Sequence, residues 1–396
     1  MTTLRVFILI CSFAGCYGCS KPVTEKPDVP ATRPGNNAGI LDIPIQKADF
    51  TNSDTTIVFG DSWSDYNVDG KNYVRMFADS SGQTIINTAS TGMGSAHMVA
   101  KAYVTMSTVH NSKNVITLSG FNDVRFVGAT KELLNFQKNS YRTLLVNQFI
   151  DTWKPAGSPS RYGGSFTSFT QSLTSHFKSY YSTGYKAAYT ASVNGVFLEY
   201  DFKGSNVGVS FVGQDTTALV SYDNPYGRWR VLIDGIVVDT PAIHQQTQGH
   251  IPGYMASQTT FPYIRIYSGL SPGNHVLRLE PVEAGNKFVD FIFTLRDPSK
   301  VSPVTIMKVP YMTEAGYTID AFADQANDAA IDQVNQALND VRNEFIAIDP
   351  RYSKKIKLIN TADYFDRDKD YMPDLVHPNA SGKANLYKAL NTHINY

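Results

Sequence analysis

Cysteine is almost absent from this chain of 396 residues. Its three cysteines are Cys11, Cys16 and Cys19, so nothing after residue 19 contains a thiol. A disulfide framework, a cysteine-built zinc site and a cysteine nucleophile are therefore excluded for the rest of the chain. An excess of charge is also missing. The 35 basic and 35 acidic side chains cancel, which argues against a nucleic-acid partner, because such proteins normally present a basic surface.

Long apolar runs are missing as well. No stretch reaches the roughly 18 apolar residues of a transmembrane helix, so no membrane span is predicted. Hydrophobic residues at 42% and aromatic residues at 12% nevertheless exclude a disordered chain. At about 100–200 residues per domain, the length predicts two domains with cores of their own.

Residues 1–19 are typical of a secretory signal. Arg5 precedes an apolar run over residues 6–13, which is too short to span a bilayer as a helix. Small residues at positions 14 and 15 follow the run, as at a cleavage site. The sequence therefore predicts export across a bacterial inner membrane.

The residues around the cleavage site also suggest a lipid anchor. Residues 13–16 resemble a bacterial lipobox, which implies acylation of Cys16. Cys19 is a second candidate for acylation, and an ordinary signal peptide with incidental cysteines is the alternative. Residues 20–50, rich in proline and without an apolar period, are predicted as a flexible tether. The expected location is the cell envelope, in the periplasm or at the outer membrane, with the lipid anchor as the sole membrane contact.

The remaining chain contains two kinds of sequence, one inside the other. Residues 51–154 and 303–396 alternate short apolar strands with helical stretches, which predicts an α/β layer fold with a parallel sheet. Residues 155–302 instead carry about eight short strands separated by turn signals. An Asp-Gly pair at 234–235, between two β-rich runs, predicts a hairpin. This middle segment is therefore predicted as an inserted all-β sandwich or jelly roll.

The residues suited to chemistry follow strands or lie in the last loop. Ser62 follows the apolar run at 56–59, where parallel sheets place ligands. Gly92 follows the next predicted strand, and Asn122 follows the one after that. Each is a potential hydrogen-bond donor to an oxyanion, although a turn glycine and a helix-capping asparagine are the structural alternatives.

An acid and a histidine precede the last predicted helix. The three-residue spacing of Asp374 and His377 lets one turn direct both side chains to the same point. Asp374 could hold the imidazole in one tautomer, and His377 could then accept the proton of Ser62.

Together these four pieces resemble the blocks of the SGNH (GDSL-type) hydrolase superfamily, and they occur in its order. The resemblance covers residues 54–150 and 303–396, and it implies a three-layer fold in which helices flank a parallel sheet. It implies a serine esterase without cofactor or metal. The implied nucleophile, base and acid are Ser62, His377 and Asp374. The implied oxyanion donors are the N–H groups of Ser62 and Gly92 and the side chain of Asn122. Gly94 competes with Gly92 for its role, and Trp63 stands where the family often has Leu or Ile.

The inserted segment is similar to the jelly-roll module of carbohydrate esterase family two and to the sandwich of some peptidoglycan O-acetylesterases. Glycine-rich turns and the run at 229–235 carry this similarity. It implies an acetylated glycan as substrate. Surface aromatics could stack on sugar rings, although packing in a sandwich core is the alternative for each one. The candidates are Tyr222, Tyr226, Trp229, Tyr254 and Tyr263.

Two further clusters are interpreted as structural. His244 and His250 flank a glutamine-rich loop, but two histidines do not make a metal site. Asp366, Asp368 and Asp370 have the spacing of a calcium loop, but Tyr371 stands where that loop needs glycine. The predicted function is removal of O-acetyl groups from an envelope or extracellular polysaccharide, with peptidoglycan one candidate. A lipolytic esterase or lysophospholipase is one alternative, and a non-catalytic glycan-binding lipoprotein is the other.

Overall fold

The structure is a computed structural model, and it describes residues 43–44, 54–66, 70–92, 94–95, 98, 112–127, 131–170, 186–190, 192–214, 225–244, 260–283, 287–318 and 326–394. Predictions on Cys16, Cys19, Tyr222, Tyr254 and His250 lie outside these residues.

The strands and helices alternate only in the first and last parts of the chain. The strands are β1 (Ile43–Pro44), β2 (Thr55–Gly60), β3 (Thr84–Asn87), β4 (Asn114–Leu118), β5 (Ile150–Pro155), β6 (Arg161–Gly163), β7 (Thr167–Thr170), β8 (Lys186–Thr190), β9 (Phe197–Lys203), β10 (Asn206–Gln214), β11 (Pro225–Ile233), β12 (Ile236–Asp239), β13 (Ala242–His244), β14 (Thr260–Ser268), β15 (Asn274–Pro281), β16 (Lys287–Leu295), β17 (Val304–Met307) and β18 (Ile356–Ile359). The helices are α1 (Tyr73–Ser81), α2 (Phe121–Val127), α3 (Lys131–Phe149), α4 (Glu314–Thr318), α5 (Asp328–Ile348) and α6 (Ala380–His393). Short 3₁₀ helices cover Pro298–Lys300, Pro350–Lys354 and Thr361–Asp363.

Five strands form a parallel sheet in the order β18-β17-β4-β2-β3. Its strands are apolar on both faces, as expected for a sheet covered by helices on both sides. In β2, Ile57 and Phe59 point into one hydrophobic core, whereas Val58 points into another. The α/β sheet predicted from the two ends of the sequence is therefore present.

Helices supply the other half of each core. Side chains of α3, such as Leu145 and Phe149, pack in the core that contains Ile57. Side chains of α1 and α6, such as Phe77 and Leu390, pack in the opposite core. The ends of these helices follow local chemistry. Asn72 begins α1 because its side chain accepts hydrogen bonds from the N–H groups of the first turn.

The middle of the chain forms two antiparallel sheets. One contains β1, β5, β16, β10 and β14, with β7 and β8 beside β16, and the other contains β12, β11, β15, β9, β6 and β13. Strands β9 and β15 alternate buried and less buried residues, the pattern of a sheet with one face on a core. Residues of both sheets, including Val209, Trp229 and Leu279, share one hydrophobic cluster. The two sheets thus pack face to face, and the jelly-roll topology stays a prediction.

The larger antiparallel sheet also contacts the helical layer. Ile264 and Phe293 belong to the same core as the α3 side chains. The Asn139 side chain of α3 accepts a hydrogen bond from the Ile264 N–H at 3.2 Å. In addition, β1 pairs with β5, so two residues of the segment predicted as a tether lie at the edge of this sheet. One face of the sheet therefore supports the α/β layers, and the other supports the second sheet.

Two features of the fold are set by contacts that the sequence pattern does not reveal. The helix α5 begins at Asp328, because the Asn327 side chain caps it. It continues to Ile348 and stops before Pro350, which cannot continue a helix. Trp229 is fully buried, so it packs in the core and is not available for stacking on a sugar.

No helix in the part of the chain that the structure describes is long and apolar enough to cross a bilayer.

The predicted hairpin at residues 234–235 is confirmed, and its Asp234 side chain contacts a buried histidine of β15. Asp234 and Gly235 both have left-handed backbones, with φ of 53° and 81°, and they join β11 to β12. The Asp234 carboxylate lies 2.7 Å from His275 Nδ1, and the Ser271 carbonyl lies 2.8 Å from its Nε2. Both ring nitrogens therefore face acceptors, which favours the doubly protonated imidazolium. The Asp234 hydrogen bond, followed by that to Ser271, raises the pKa of His275.

This arrangement predicts that stability is lost as the pH rises above the ordinary pKa of histidine. A histidine whose pKa is raised by folding stabilises the native state fully below its ordinary pKa of about 6.5. That stabilisation is lost as the pH rises through the folded-state value. The free energy of unfolding should therefore fall more steeply over this range in the parent protein than in Asp234→Asn, which tolerates the left-handed backbone but lacks the charge. Denaturant titrations at a series of pH values measure the difference. Parallel profiles of the two proteins would refute the role assigned to this ion pair.

Candidate active site

Ser62 lies in a tight turn directly after β2. The Asp61 carbonyl accepts hydrogen bonds from the N–H groups of Ser64 and Asp65, at 3.0 and 3.1 Å. The Asp61 side chain accepts another from the Trp63 N–H at 3.0 Å. These bonds close the turn around Ser62 and hold it half-buried at the carboxyl end of the parallel sheet.

The last loop brings a histidine and an acid to the same point. His377 Nε2 lies 3.0 Å from Ser62 Oγ, and His377 Nδ1 lies 2.7 Å from Asp374 Oδ2. Because a carboxylate only accepts hydrogen bonds, the Nδ1 atom must carry the proton in this pair. In the neutral ring, Nε2 is then left as the acceptor that faces the serine hydroxyl. The structure thus joins Ser62, His377 and Asp374 in one chain of hydrogen bonds.

Asp374 also shapes the loop that carries His377. Its Oδ1 atom accepts hydrogen bonds from the Val376 and His377 N–H groups, at 3.0 and 2.9 Å. Burial raises the pKa of Asp374, but these bonds and the imidazole outweigh it and leave the pKa below its usual value. The carboxylate therefore stays ionised at neutral pH. Leu375, within the same turn, has φ of 58°, a strained conformation for a residue other than glycine.

The Gly92 loop is tied to the Ser62 turn by Asp65. One oxygen of that carboxylate accepts hydrogen bonds from the Thr91 N–H at 3.0 Å and from its hydroxyl at 3.2 Å. Gly92 follows with φ of 72°, a left-handed conformation that favours glycine. The loop after β3 is therefore held beside the turn after the neighbouring strand, β2.

Asn122 is buried in the first turn of α2, directly after β4. The next residue, Asp123, accepts hydrogen bonds from the Ser95 N–H and hydroxyl. A Cβ atom at Gly94 would lie 2.7 Å from the same carboxylate, so this close approach requires glycine. Because β4, β2 and β3 are adjacent in the sheet, Asn122, Ser62 and Gly92 all lie at the carboxyl ends of neighbouring strands.

Asp61 is a feature of the site that sequence reasoning missed. Its side chain is 1% exposed, and its Oδ2 atom has no hydrogen-bond partner among the described residues. Burial, opposed by the Trp63 N–H, raises the pKa of Asp61 to about 7. The carboxyl group beside the nucleophile is thus partly protonated at neutral pH, which limits the cost of a buried charge. No sequence signal distinguishes it from an ordinary turn aspartate.

The histidine cluster at residues 244–250 and the aspartate cluster at residues 366–370 each contain possible metal ligands. Within the described residues, no group of three or more His, Cys, Asp or Glu side chains could hold a metal ion. Asp366 accepts from the Asp368 N–H and pairs with Lys369, while Asp370 accepts from the Asp366 N–H and the Asn385 amide. These carboxylates organise the loop that leads to Asp374. His244 ends β13.

Comparison with known proteins gives no family assignment. No protein-family model matches the chain, and no curated protein matches it.

Several solved structures are similar to parts or most of the chain. The porcine torovirus hemagglutinin-esterase shares 10% identity at a TM-score of 0.38, over 84% of this chain and 85% of that one. The hemagglutinin-esterase of infectious salmon anemia virus shares 13% at 0.33, over 85% and 79%. A family 35 carbohydrate binding module from Clostridium thermocellum shares 13% at 0.20, over 33% and 97%. At these scores, none of the similarities establishes a shared fold or activity.

The tight turn around Ser62 predicts that Gly60→Ala destabilises the protein. A Cβ atom at Gly60 would lie 2.8 Å from Ser64 Cβ and 2.9 Å from the Leu118 carbonyl oxygen. Relieving this overlap must move the turn or β4, and overpacking of this kind costs about 1–3 kcal/mol. Thermal unfolding should therefore show a clear fall in Tm.

Gly70→Ala is the matched control, because no atom of the described residues lies within 4 Å of a Cβ atom at that exposed position. Its Tm should stay close to that of the parent protein. Equal Tm values for the two variants would contradict the close packing of the turn.

Proposed function

We propose that this protein is a serine esterase that removes O-acetyl groups from a carbohydrate. The observation that carries the proposal is the hydrogen-bonded chain from Ser62 through His377 to Asp374. In it a hydroxyl faces the unprotonated nitrogen of an imidazole whose other nitrogen is held by a carboxylate. This is the arrangement that makes a serine nucleophilic at neutral pH.

The proposed reaction has two steps. In the first, Ser62 Oγ attacks the acetyl carbonyl carbon while His377 Nε2 takes the hydroxyl proton. The imidazolium, stabilised by Asp374, returns that proton to the sugar oxygen as the ester bond breaks and an acetyl-enzyme forms. In the second step, His377 takes a proton from water as the water oxygen attacks the acetyl-enzyme. The imidazolium then gives that proton to Ser62 Oγ as the acyl bond breaks, which releases acetate and restores the serine hydroxyl.

The oxyanion formed in both steps needs donors at the carboxyl end of the sheet. The Ser62 and Gly92 N–H groups and the Asn122 amide are assigned this role, with Gly94 as the competitor of Gly92. The support is topological, because Ser62, Gly92 and Asn122 lie at the ends of adjacent strands. Preorganised donors of this kind stabilise the transition state more than the substrate.

The exposure of the site supports a bulky polar substrate. The side chains of His377 and Asp374 are 29% and 45% exposed, so the reacting groups are accessible from solvent. An acetyl group on a large glycan needs such access, whereas a long acyl chain gains most from an enclosed apolar site. The paired antiparallel sheets are proposed to bind glycan. The lipolytic esterase and the non-catalytic glycan-binding lipoprotein remain the alternatives that experiment must separate.

The domain limits and location belong to the same proposal. Residues 51–154 and 303–396 are assigned to the hydrolase domain and residues 155–302 to an inserted sandwich. The signal region at 1–19 and the tether at 20–50 are assigned to export and to anchoring through Cys16. In this arrangement the enzyme would act from the cell envelope on envelope or extracellular polysaccharide.

Substitution of the nucleophile tests whether the protein is an enzyme of this class. Ser62→Ala should lower kcat/KM for p-nitrophenyl acetate by about 10⁴-fold or more, because no other group can form the acyl-enzyme. It should also abolish labelling by a fluorophosphonate probe. Asn122→Ala, which removes one oxyanion donor, should lower kcat by about 100–1000-fold. The exposed Ser80→Ala is the control and should behave as the parent. Full labelling of Ser62→Ala would eliminate the assignment, and an unlabelled parent would favour the non-catalytic alternative.

A substrate panel tests the choice between sugar and lipid. Purified protein is offered acetylated xylan, acetylated peptidoglycan and p-nitrophenyl esters of increasing chain length, and acid release is measured. We expect acetate from at least one glycan and a fall in kcat/KM as the acyl chain lengthens. A preference for long acyl chains would replace the carbohydrate proposal with the lipolytic one.

A further inference from the structure

Trp63, the residue after the candidate nucleophile, connects two loops that are far apart in the sequence. Its indole N–H donates a hydrogen bond of 3.0 Å to the carbonyl of Val376, the residue before His377. The Trp63 side chain is 2% exposed. It is therefore buried beneath the site and does not line a substrate pocket. Trp63 therefore follows Ser62 in the sequence and donates a hydrogen bond to the residue that precedes His377, the proposed base.

The ring of Trp63 packs against aromatic side chains from two further segments. Its centroid lies 4.2 Å from that of Phe121, which precedes Asn122, and 5.4 and 5.8 Å from those of Phe365 and Tyr371. Phe365 and Tyr371 flank the loop that leads to Asp374. We call these four rings the Trp63 cluster. The cluster touches every segment that supplies a candidate site residue, apart from the Gly92 loop.

The His377 loop requires support from outside, because it is strained. Leu375 holds φ of 58°, one of two positive values for residues other than glycine in the described part of the chain. A non-glycine residue persists in this conformation only when its surroundings enforce it. Gly316 of α4 supports the loop from another side, since a Cβ atom there would lie 2.5 Å from the Leu375 carbonyl oxygen. The carbonyls of Leu375 and Val376 are thus each contacted by a different element.

From this geometry we propose that Trp63 is a positioning residue for the esterase reaction. Its indole hydrogen bond fixes the Val376 peptide and so sets the distance from His377 Nε2 to Ser62 Oγ. The inference rests on the proposed function. It adds a role for a residue that makes no contact with the reacting atoms. Misplacement of a catalytic group by about 1 Å can lower the rate of reaction about 100-fold, so a single buried hydrogen bond can matter this much.

Two replacements of Trp63 test the proposal. Trp63→Phe keeps an aromatic ring in the cluster but removes the donor. Site-specific incorporation of 3-benzothienylalanine at position 63 keeps the shape of the indole and removes only the N–H, which covers the case in which the Phe variant does not fold. Trp229→Phe is the matched control, because Trp229 is just as deeply buried but lies in the core between the two antiparallel sheets.

We expect both replacements to lower kcat for p-nitrophenyl acetate by about tenfold to 100-fold, with KM changed by less than about threefold. Trp229→Phe should leave kcat within about twofold of the parent value, even if its Tm falls as far as that of Trp63→Phe. An unchanged kcat in the benzothienylalanine protein would overturn the proposal. So would an equal loss of kcat in Trp229→Phe, because it would indicate a general effect of core substitution.

A spectroscopic measurement separates this proposal from the proposed function. With ¹⁵N-labelled histidine, the ring shifts of His377 report the Nδ1–H tautomer and its bond to Asp374. The chain has eight histidines, so a His377→Gln spectrum is needed to assign the signal. Removing the Trp63 N–H should shift or broaden the His377 signals and leave those of the other histidines unchanged. Unchanged His377 signals would overturn the positioning role. If the parent protein lacks esterase activity, the proposed function fails, and the NMR comparison still tests the coupling of Trp63 to His377.

Discussion

The hydrogen bond between Ser62 Oγ and His377 Nε2 joins residues 315 positions apart, and the rest of the candidate site depends on it. Such a bond forms only if two loops reach one end of the same sheet. The parallel arrangement of β2, β4, β17 and β18 does this, because parallel strands present all their carboxyl ends at one edge. The helices between the strands cover both faces.

The larger antiparallel sheet packs directly against the α/β layers that carry the candidate site. The larger sheet shares one core with α3 and another with the second sheet. Ile264 and Asn139 connect it directly to the helical layer. Movement of the sheet relative to the α/β layers would disrupt apolar packing and this hydrogen bond together.

One buried polar group and one strained residue of the candidate site oppose stability. Asp61 is buried, and one of its carboxylate oxygens has no hydrogen-bond partner among the residues that the structure describes. Leu375 is held in a left-handed conformation. Features of this kind persist where the surrounding structure enforces them, and they occur preferentially at functional sites. Here the enforcing structure is identifiable. The Trp63 cluster and Gly316 hold the His377 loop from two sides, while Asp65 and Asp123 tie the neighbouring loops to the turn and to α2.

Local sequence determined much of the fold and the identity of the candidate residues. Apolar runs of four or five residues between helical stretches predicted the parallel sheet, because buried parallel strands leave that pattern. Asp234 and Gly235 predicted their hairpin because only certain residues adopt its left-handed backbone. The motifs around Ser62, Asp374 and His377 predict these three residues as the candidates, since short spacing and position after a strand can be read from the sequence alone.

Tertiary structure decided what depends on contacts between distant segments. The start of α5 at Asp328 follows from the Asn327 cap, a choice that helical periodicity does not reveal. The burial of Trp229 depends on which face of β11 packs against the larger antiparallel sheet. The bond from Trp63 to Val376 spans 313 positions, and the raised pKa of Asp61 follows from burial by surrounding segments. None of these can be inferred from neighbouring residues, because hydrogen bonding and desolvation at these sites are set by parts of the chain that meet only when it folds.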